Sequence, residues 1–288
     1  MSNSHKKIKL KNKLISPILK WAGGKRQLLS EIDLLMPEKK NKYYYEPFLG
    51  GGSVLFHLQP KNAVVNDVNQ ELINVYNIVK NKLTELIEDL KIHQNNAEYF
   101  YKIRALDRQS ETYSTLSDIQ KASRIIFLNK TCFNGLFRVN SIGEFNSPFG
   151  SYKNPNIVNE ITLNAVSKFF NDNNIIFKCG DFQDSLIDIK KDSFVYLDPP
   201  YDPISLSSNF TGYTKTGFGE FEQKRLKDLC DELDSKGIKF LLSNSCTDFI
   251  KDLYKNYNIK IIQAKRSINS NSEARGLVDE VLIRNYEQ

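Results

Sequence analysis

An acid, two prolines and an aromatic residue stand in a row where a buried strand is expected to end. The motif Asp198-Pro199-Pro200-Tyr201 directly follows the apolar run Phe194-Val195-Tyr196-Leu197. A carboxylate and a backbone carbonyl can accept the two N–H bonds of a nucleobase amino group, whose lone pair is otherwise shared with the ring. Proline leaves a rigid, outward-pointing carbonyl, and tyrosine offers a flat face to a base. The motif suits methylation of an exocyclic amine, although on its own it is also typical of a turn that ends a strand.

A glycine cluster follows an earlier aromatic strand. Residues 43–53 read Tyr-Tyr-Tyr-Glu-Pro-Phe-Leu-Gly-Gly-Gly-Ser and lead into a helix-like stretch over residues 54–58. Glycines let a ligand approach the backbone closely, but the spacing matches neither a dinucleotide fold nor a phosphate loop. The next apolar strand ends in Asp67, the position where doubly wound folds bind ribose hydroxyls. These features favour S-adenosylmethionine, which carries adenosine without pyrophosphate; Asp67 alone would also suit a helix N-cap before Gln70.

In their order along the chain, these motifs resemble those of the Dam-like DNA adenine methyltransferases, which modify the 6-amino group of adenine. The resemblance begins at residues 17–29, which read Pro-Ile-Leu-Lys-Trp-Ala-Gly-Gly-Lys-Arg-Gln-Leu-Leu. It continues through the Gly50 loop, Asp67, Gly180-Asp181-Phe182 and the Asp198 motif. It therefore covers nearly the whole chain and places a target-recognition region between the cofactor motifs and the catalytic motif.

The resemblance implies two sets of site residues around the cofactor. The cofactor-binding set is Trp21, Lys25, Phe48, Gly50, Gly52, Asp67, Asp181, Phe182 and Asp198. Within it, Asp67 would hold the ribose, and Asp181 and Phe182 would bracket the cofactor's adenine. The catalytic set is Asp198, Pro199, Pro200 and Tyr201. Taken singly, Trp21 would equally suit an ordinary core position, Lys25 a solvated helix and Asp181 a loop cap.

The middle of the chain resembles the recognition hairpin of enzymes that methylate GATC. The similar segments are residues 133–138 and 143–153, and the implied DNA-binding set is Lys130, Phe133, Asn134, Leu136, Arg138, Asn140, Pro148, Tyr152 and Lys153. A guanidinium presents two parallel donors to guanine, worth ~1–3 kcal/mol of discrimination, so Arg138 is the expected guanine reader. Leu136 and Phe133 would wedge against bases as the adenine leaves the stack, unless they form a buried hairpin core.

Two positions depart from the hairpin pattern. Ser147 and Ser151 stand where many relatives carry an apolar and a basic residue. The expected site is therefore GATC, or another sequence that contains GAT.

Composition fits a partner that is a polyanion. The 288 residues carry 40 Lys+Arg against 34 Asp+Glu, a net charge of +6, and the first acid is Glu31, well after Lys6, Lys7, Lys9, Lys11 and Lys13. Phosphate neutralisation and a solvated basic tail both explain residues 1–13. The cysteines and histidines are scattered, so we expect buried free thiols and no metal site. No apolar run is long enough to span a bilayer, which predicts a protein without a membrane segment that works in the bacterial cytoplasm or nucleoid.

Apolar strands alternate with helical patterns, which predicts an α/β fold with a Rossmann-like methyltransferase sheet. The predicted strands cover residues 43–46, 63–66, 175–178, 193–198, 238–243, 258–264 and 278–285. We expect a catalytic domain over 1–68 and 159–288, and an inserted, helical target-recognition domain over 69–158, where Ser117 and Gln120 form a capping-box pattern. Residues 202–219 suit either a lid over the extruded base or a plain surface loop. Residues 265–277 suit either a contact with backbone phosphates or a solvated hairpin loop.

The sequence thus predicts methyl transfer from S-adenosylmethionine to the 6-amino group of adenine in double-stranded DNA. The acid at position 198 and the hairpin argue against methylation of cytosine, RNA or a protein glutamine. A DNA-binding protein with an inactive methylase fold is the alternative from another class, and intact Asp198 and Tyr201 argue against it. A companion restriction endonuclease would act on the same site without direct contact.

Overall fold

Seven strands form one sheet. The computed structural model describes residues 11–21, 23–37, 41–203, 218–265 and 277–287. The strands are β1 (Tyr43–Glu46), β2 (Asn62–Asp67), β3 (Asn174–Cys179), β4 (Ser193–Leu197), β5 (Lys239–Ser245), β6 (Asn258–Lys265) and β7 (Leu277–Arg284). All seven predicted strands are confirmed. Residues 204–217 and 266–276, which belong to the predicted lid and the predicted phosphate-contacting segment, lie outside the described residues.

The strand order is β3-β2-β1-β4-β5-β7-β6. The first five strands of that order run parallel to one another, whereas β7 is antiparallel to both β5 and β6. Every residue of β4 is buried, as expected for a central strand that is covered on both faces. The order and the helical cover confirm the predicted α/β, Rossmann-like class.

Helices cover both faces of the sheet. They are α1 (Leu29–Leu35), α2 (Ser53–Leu58), α3 (Gln70–Asn81), α4 (Leu83–Lys91), α5 (Ala97–Arg104), α6 (Ser110–Thr115), α7 (Asp118–Thr131), α8 (Glu160–Asp172), α9 (Glu220–Ser235) and α10 (Asp248–Leu253). Alternate side chains of β4 enter opposite layers: Phe194 and Tyr196 join the core that contains α3 and α8, and Val195 and Leu197 join the core beneath α9.

Helices α3 to α8 and a hairpin connect β2 to β3. The capping box at Ser117 is present, because its side chain accepts from Gln120 and the Gln120 side chain accepts from the Ser117 amide. Asn69, not Asp67, caps α3, so the alternative role considered for Asp67 is wrong. Helix α3 also packs on β2 and β3, so the proposed domain boundary at residue 69 falls before a helix that covers the sheet.

The four cysteines are free thiols, as predicted. Cys132 and Cys230 are buried, but Cys179 at the end of edge strand β3 is exposed, which corrects the expectation that all four are buried. Over the described ranges, no group of three or more metal-ligating side chains is present. No described helix combines the length and the apolar character needed to cross a membrane.

One buried amide ties the hairpin to the N-terminal segment. The Asn129 side chain on α7 accepts from the Lys20 amide at 2.9 Å and donates to the carbonyls of Lys20 and Gly135 at 2.8 and 3.0 Å. Asn129 is only 1% exposed, so water cannot replace these three hydrogen bonds. The segment before Trp21 and the turn before Phe137 are therefore held against the same helix.

Replacing Asn129 should destabilise the protein markedly. Asn129→Ala leaves three backbone groups without their partner, and we expect the free energy of unfolding to fall by about 2–4 kcal/mol. Urea denaturation followed by circular dichroism measures it. Asn74→Ala is the matched control, because it removes an exposed amide that makes one bond to the Asp118 carbonyl; it should cost about 0.5 kcal/mol or less. Equal losses in the two variants would contradict the role of Asn129.

Candidate active site

Three carboxyl groups meet at one edge of the sheet. Glu46 ends β1, Asp67 ends β2, and Asp198 follows β4. The three strands are parallel neighbours, so their carboxyl ends lie side by side. In open α/β sheets this edge is where ligands bind. The structure therefore brings the expected ribose-binding acid and the expected catalytic acid to a common site.

Asp198 is held by a lysine and a serine. The Lys25 ammonium lies 2.8 Å from Oδ1, and the Ser243 hydroxyl donates to the same oxygen at 2.8 Å. Lys25 also donates to the Gly23 carbonyl at 2.7 Å and lies 4.5 Å from the centre of the Tyr201 ring. Among the described residues, none donates to Oδ2. One oxygen of Asp198 is thus held by both Lys25 and Ser243.

Burial raises the pKa of both Asp198 and Glu46, but the neighbouring charges lower it at Asp198 and raise it at Glu46. Burial raises the pKa of Asp198, while the Lys25 ammonium and the Ser243 hydroxyl oppose that rise. Glu46 is 2% exposed and accepts from the Tyr44 hydroxyl at 2.8 Å. Its pKa lies well above the usual range because of burial, and the nearby charges of Asp198 and Asp67 raise it further. A cation bound at this edge would offset the repulsion that Asp198 and Asp67 exert on the Glu46 carboxylate.

The proline motif is fixed from two sides. The Tyr201 hydroxyl donates to Glu280 on β7 at 2.9 Å, which orients the ring. Burial, followed by the charges of Asp198 and Glu280, keeps the pKa of Tyr201 well above its usual value, so the phenol stays protonated. The Pro200 carbonyl accepts from Gln223 at 3.0 Å. No described residue donates to the Pro199 carbonyl, which leaves that oxygen as an acceptor beside Asp198.

Asp67 shapes the glycine loop. Its carboxylate accepts from the Gly50 amide at 2.8 Å and from the Asn69 amide at 2.9 Å, while the Tyr76 hydroxyl donates to the Gly50 carbonyl at 2.9 Å. Gly52 has a φ of 69°, and an added Cβ would approach the Phe56 ring to 2.8 Å. The glycine at position 52 is thus required by both conformation and space.

Phe182, expected beside the cofactor's adenine, lies in an aromatic cluster with Phe48, which the resemblance placed at the cofactor's methionine end. The Phe48 and Phe182 rings stack with centroids 5.2 Å apart, and the Phe218 ring lies 5.7 Å from Phe48. Asp181 forms an ion pair with Arg225 at 3.1 Å, and the Arg225 guanidinium lies 5.0 Å from the Phe182 ring centre. Asp181 and Phe182 are therefore neighbours on one loop, braced by α9.

The hairpin exposes several of the expected DNA-binding residues. Phe133, Asn134, Arg138, Pro148 and Lys153 are exposed, and Leu136, Tyr152 and Lys130 are half-buried. Arg138 donates to the Asn146 carbonyl and side chain at 3.3 and 3.2 Å. The Asn140 amide is engaged within the turn, where it donates to Glu144 at 2.7 Å and accepts from two backbone amides. Asn140 thus shapes the turn in this conformation.

Lys130 lies in a cationic neighbourhood. Burial lowers its pKa, and the positive charges of Lys20 and Arg26 lower it further. Lys130 also borders a small cavity of about 20 Å³ that is lined by apolar residues such as Ile18 and Ile157. Lys20 and Arg26 belong to the N-terminal segment and Lys130 to α7, and the fold brings the three cations together beside the hairpin.

Four positions escaped the sequence analysis. Glu46 stands directly before the glycine-loop residues, and its place at a strand end was a readable signal. Ser243, Gln223 and Glu280 contact the catalytic motif from distant parts of the chain, and no local pattern identifies them. Lys25 was expected at the cofactor, but the structure pairs it with Asp198.

Fold and site together define a Rossmann-like methyltransferase. Residues 21–268 match the family model of the D12 class N6 adenine-specific DNA methyltransferases. The match spans most of the chain, so the protein belongs to this family and is an adenine-specific DNA methyltransferase. The predicted enzyme class and the resemblance to Dam-like enzymes are confirmed.

Several curated relatives are similar along nearly their whole length. The Type II methyltransferase M1.LlaDCHI of Lactococcus lactis subsp. cremoris is 44% identical over 96% of this chain and 98% of its own. Type II methyltransferase M.MjaIII of Methanocaldococcus jannaschii is 42% identical over 94% and 99%. The DNA adenine methylase of Escherichia coli is 35% identical over 92% and 93%.

The Lys25–Asp198 pair predicts a change in pH dependence. Lys25→Met removes the charge that opposes the raised pKa of Asp198, so that pKa should rise further. If the ionised carboxylate is the active form, activity is present above this pKa and lost below it. The acidic limb of the pH–kcat profile should therefore move to higher pH.

Stability should fall as well, by ~3–5 kcal/mol, because one buried charge is left without its partner. Lys224→Met is the control, since Lys224 pairs with Glu220 on the exposed face of α9. An acidic limb at the same pH in Lys25→Met and the wild type would show that Lys25 does not tune Asp198.

Proposed function

We propose that this enzyme transfers the methyl group of S-adenosylmethionine to the 6-amino group of adenine in GATC sequences of double-stranded DNA. The observation that carries the proposal is the motif that follows β4: the Asp198 carboxylate, whose Oδ1 is held by Lys25 and Ser243, is followed by the Pro199 carbonyl and by Tyr201, whose hydroxyl is held by Glu280. Two acceptors and a flat platform match a planar base with one exocyclic amine. Pro200 completes the catalytic set by turning the chain, with its carbonyl held by Gln223.

The protein groups prepare the amine for attack. Asp198 and the Pro199 carbonyl accept its two N–H bonds, which directs the nitrogen lone pair away from the ring. Tyr201 stacks on the base, held by Glu280. S-adenosylmethionine would supply the electrophilic methyl group and would leave as S-adenosylhomocysteine, while the methylated amine would release one proton to solvent. No covalent bond to the enzyme is required.

Charge favours a cationic donor. Among the described residues, Glu46, Asp67 and Asp198 lie at this edge with the Lys25 ammonium, so a bound sulfonium and α-ammonium would relieve the repulsion that adds to burial in raising the pKa of Glu46. The proposed cofactor contacts are those implied by the family resemblance. They are Trp21, Lys25, Phe48, Gly50, Gly52, Asp67, Asp181, Phe182 and Asp198, to which we add Glu46.

The hairpin is the proposed reader of the target sequence. Arg138 is exposed and bonded only weakly to Asn146, so its guanidinium can turn to a guanine edge. Phe133 is 55% exposed, which suits a wedge between bases. The neighbourhood of Lys20, Arg26 and Lys130 supports phosphate binding beside it. The remaining proposed DNA contacts are Asn134, Leu136, Asn140, Pro148, Tyr152 and Lys153.

The relatives suggest a cellular setting. Two of the similar proteins are named Type II methyltransferases. We propose that the protein acts in the cytoplasm or nucleoid, where it methylates its recognition sequence in the host DNA. A companion endonuclease would cut the same sequence when it is unmethylated, without contacting the methyltransferase. Another site that contains GAT is the alternative for the recognition sequence.

Methylated adenines can be mapped directly. The chain is expressed in a host without adenine methylation, and modified adenines are located across the genome. We expect GATC as the shared motif, and purified enzyme should transfer labelled methyl groups from S-adenosylmethionine to a GATC duplex. Asp198→Ala is the control and should lose at least about a hundredfold in kcat while still binding DNA. A different shared motif would contradict GATC as the recognition sequence. Activity retained in Asp198→Ala would contradict the proposed role of Asp198 in methyl transfer.

Base reading and phosphate binding should separate in two variants. Arg138→Ala should slow methylation of GATC by ~1–3 kcal/mol in kcat/KM but hardly affect a duplex whose first base is already changed. Lys130→Ala should weaken all duplexes alike and lower the salt dependence by roughly one charge. Rates are measured on matched duplexes at two salt concentrations. A uniform loss for Arg138→Ala would identify it as a backbone contact instead.

A further inference from the structure

Trp21 and Phe137 form a close aromatic stack between two functional segments. Their ring centroids lie 4.4 Å apart with an interplanar angle of 21°. Trp21 belongs to the N-terminal segment proposed for the cofactor, and Phe137 lies in the hairpin proposed for DNA. Phe137 is 3% exposed, so the contact is inside the protein. A rigid stack therefore connects the two sites.

The glycine loop also packs against the indole. A Cβ added to Gly50 would lie 3.1 Å from Cδ1 of Trp21, and one added to Gly51 would lie 3.0 Å from its Cβ. The loop can make this contact only because both residues lack side chains. The position of the indole thus depends on the loop that Asp67 and Tyr76 hold through Gly50.

The hairpin end of the stack is equally constrained. Phe137 directly precedes Arg138, and the carbonyl of Leu136 on its other side accepts from Ser147 and from the Cys132 thiol. Gly135 has a φ of 64°, and an added Cβ would approach the Lys20 side chain to 2.4 Å. A small displacement of the indole would therefore move the backbone that carries Arg138 rather than be absorbed by a loose turn.

We propose that Phe137 is a positioning residue that couples cofactor binding to guanine readout. A cofactor that orders the glycine loop fixes Trp21, and the stack then fixes Phe137 and the neighbouring Arg138. The inference rests on the proposed function, because it requires a cofactor at the loop and DNA at the hairpin. Coupling of two ligands is reciprocal, so cognate DNA must tighten cofactor binding by the same factor.

The test measures a ratio rather than an affinity. The dissociation constant of a GATC duplex is determined with and without saturating S-adenosylhomocysteine, which binds as the donor does but cannot react. Wild-type enzyme should bind the duplex more tightly with this ligand. Phe137→Leu should lower that ratio by roughly 2- to 12-fold, the range expected for loss of an aromatic pair.

Two further variants separate coupling from folding. Phe149→Leu also removes an aromatic ring from the hairpin, but its ring partner is Phe100 at 5.3 Å, so the ratio should match the wild type. Phe137→Met keeps the bulk of the side chain and should reproduce the reduced ratio if the leucine variant does not fold. The reverse titration, of S-adenosylhomocysteine with and without duplex, should give the same loss.

The outcomes distinguish the inference from the function on which it rests. Both ligands binding with an unchanged ratio in Phe137→Leu would overturn the coupling and leave the methyltransferase assignment intact. An equal loss in Phe149→Leu would also overturn it, because hairpin packing in general would then be responsible. A wild-type enzyme that binds no S-adenosylhomocysteine would remove the proposed donor and the coupling together.

Discussion

The site depends on the ion pair between Lys25 and Asp198. Parallel strands bring three acids to one edge of the sheet, and burial makes each of them costly to ionise. Lys25 is the cation that compensates at Asp198, and it reaches the acid from a short helical turn near the N-terminal end of the described chain. The Lys25 ammonium lowers the pKa of Asp198 against the rise that burial causes, so this contact favours the ionised carboxylate. The N-terminal segment is therefore part of the proposed catalytic centre.

The proposed recognition hairpin and the proposed cofactor site are held in place by a few shared buried polar groups. Asn129 fixes both the N-terminal segment and the hairpin turn, and Asp67 fixes the glycine loop against which Trp21 packs. The same few buried polar groups thus set the distance between the proposed cofactor site and the proposed base reader. Such networks must be fully satisfied to be stable, which restricts the relative movement of the two regions.

Local patterns predicted the fold well because the sheet is built from strands whose period and boundaries are visible in the sequence. The seven strands, the capping box at Ser117 and the acids at strand ends follow from residues that are close in the chain. Contacts made across the fold were missed for the same reason. Ser243 and Glu280 act on Asp198 and Tyr201 from β5 and β7, 45 and 79 residues away in sequence. Exposed Cys179 was misjudged because an edge strand is not distinguishable from a central one in a short apolar run.

The antiparallel strand β7 has a consequence for synthesis of the protein. Among the described strands it comes last along the chain, yet it inserts between β5 and β6 and carries Glu280, which accepts from the Tyr201 hydroxyl. A nascent chain on the ribosome can assemble β1 to β4 and their helices while this strand is still in the exit tunnel. Because chains emerge from the N-terminal end, the proposed platform for the base is completed only after β7 has left the ribosome. Partial translation products would therefore carry most of the hairpin and the glycine loop without a finished catalytic face.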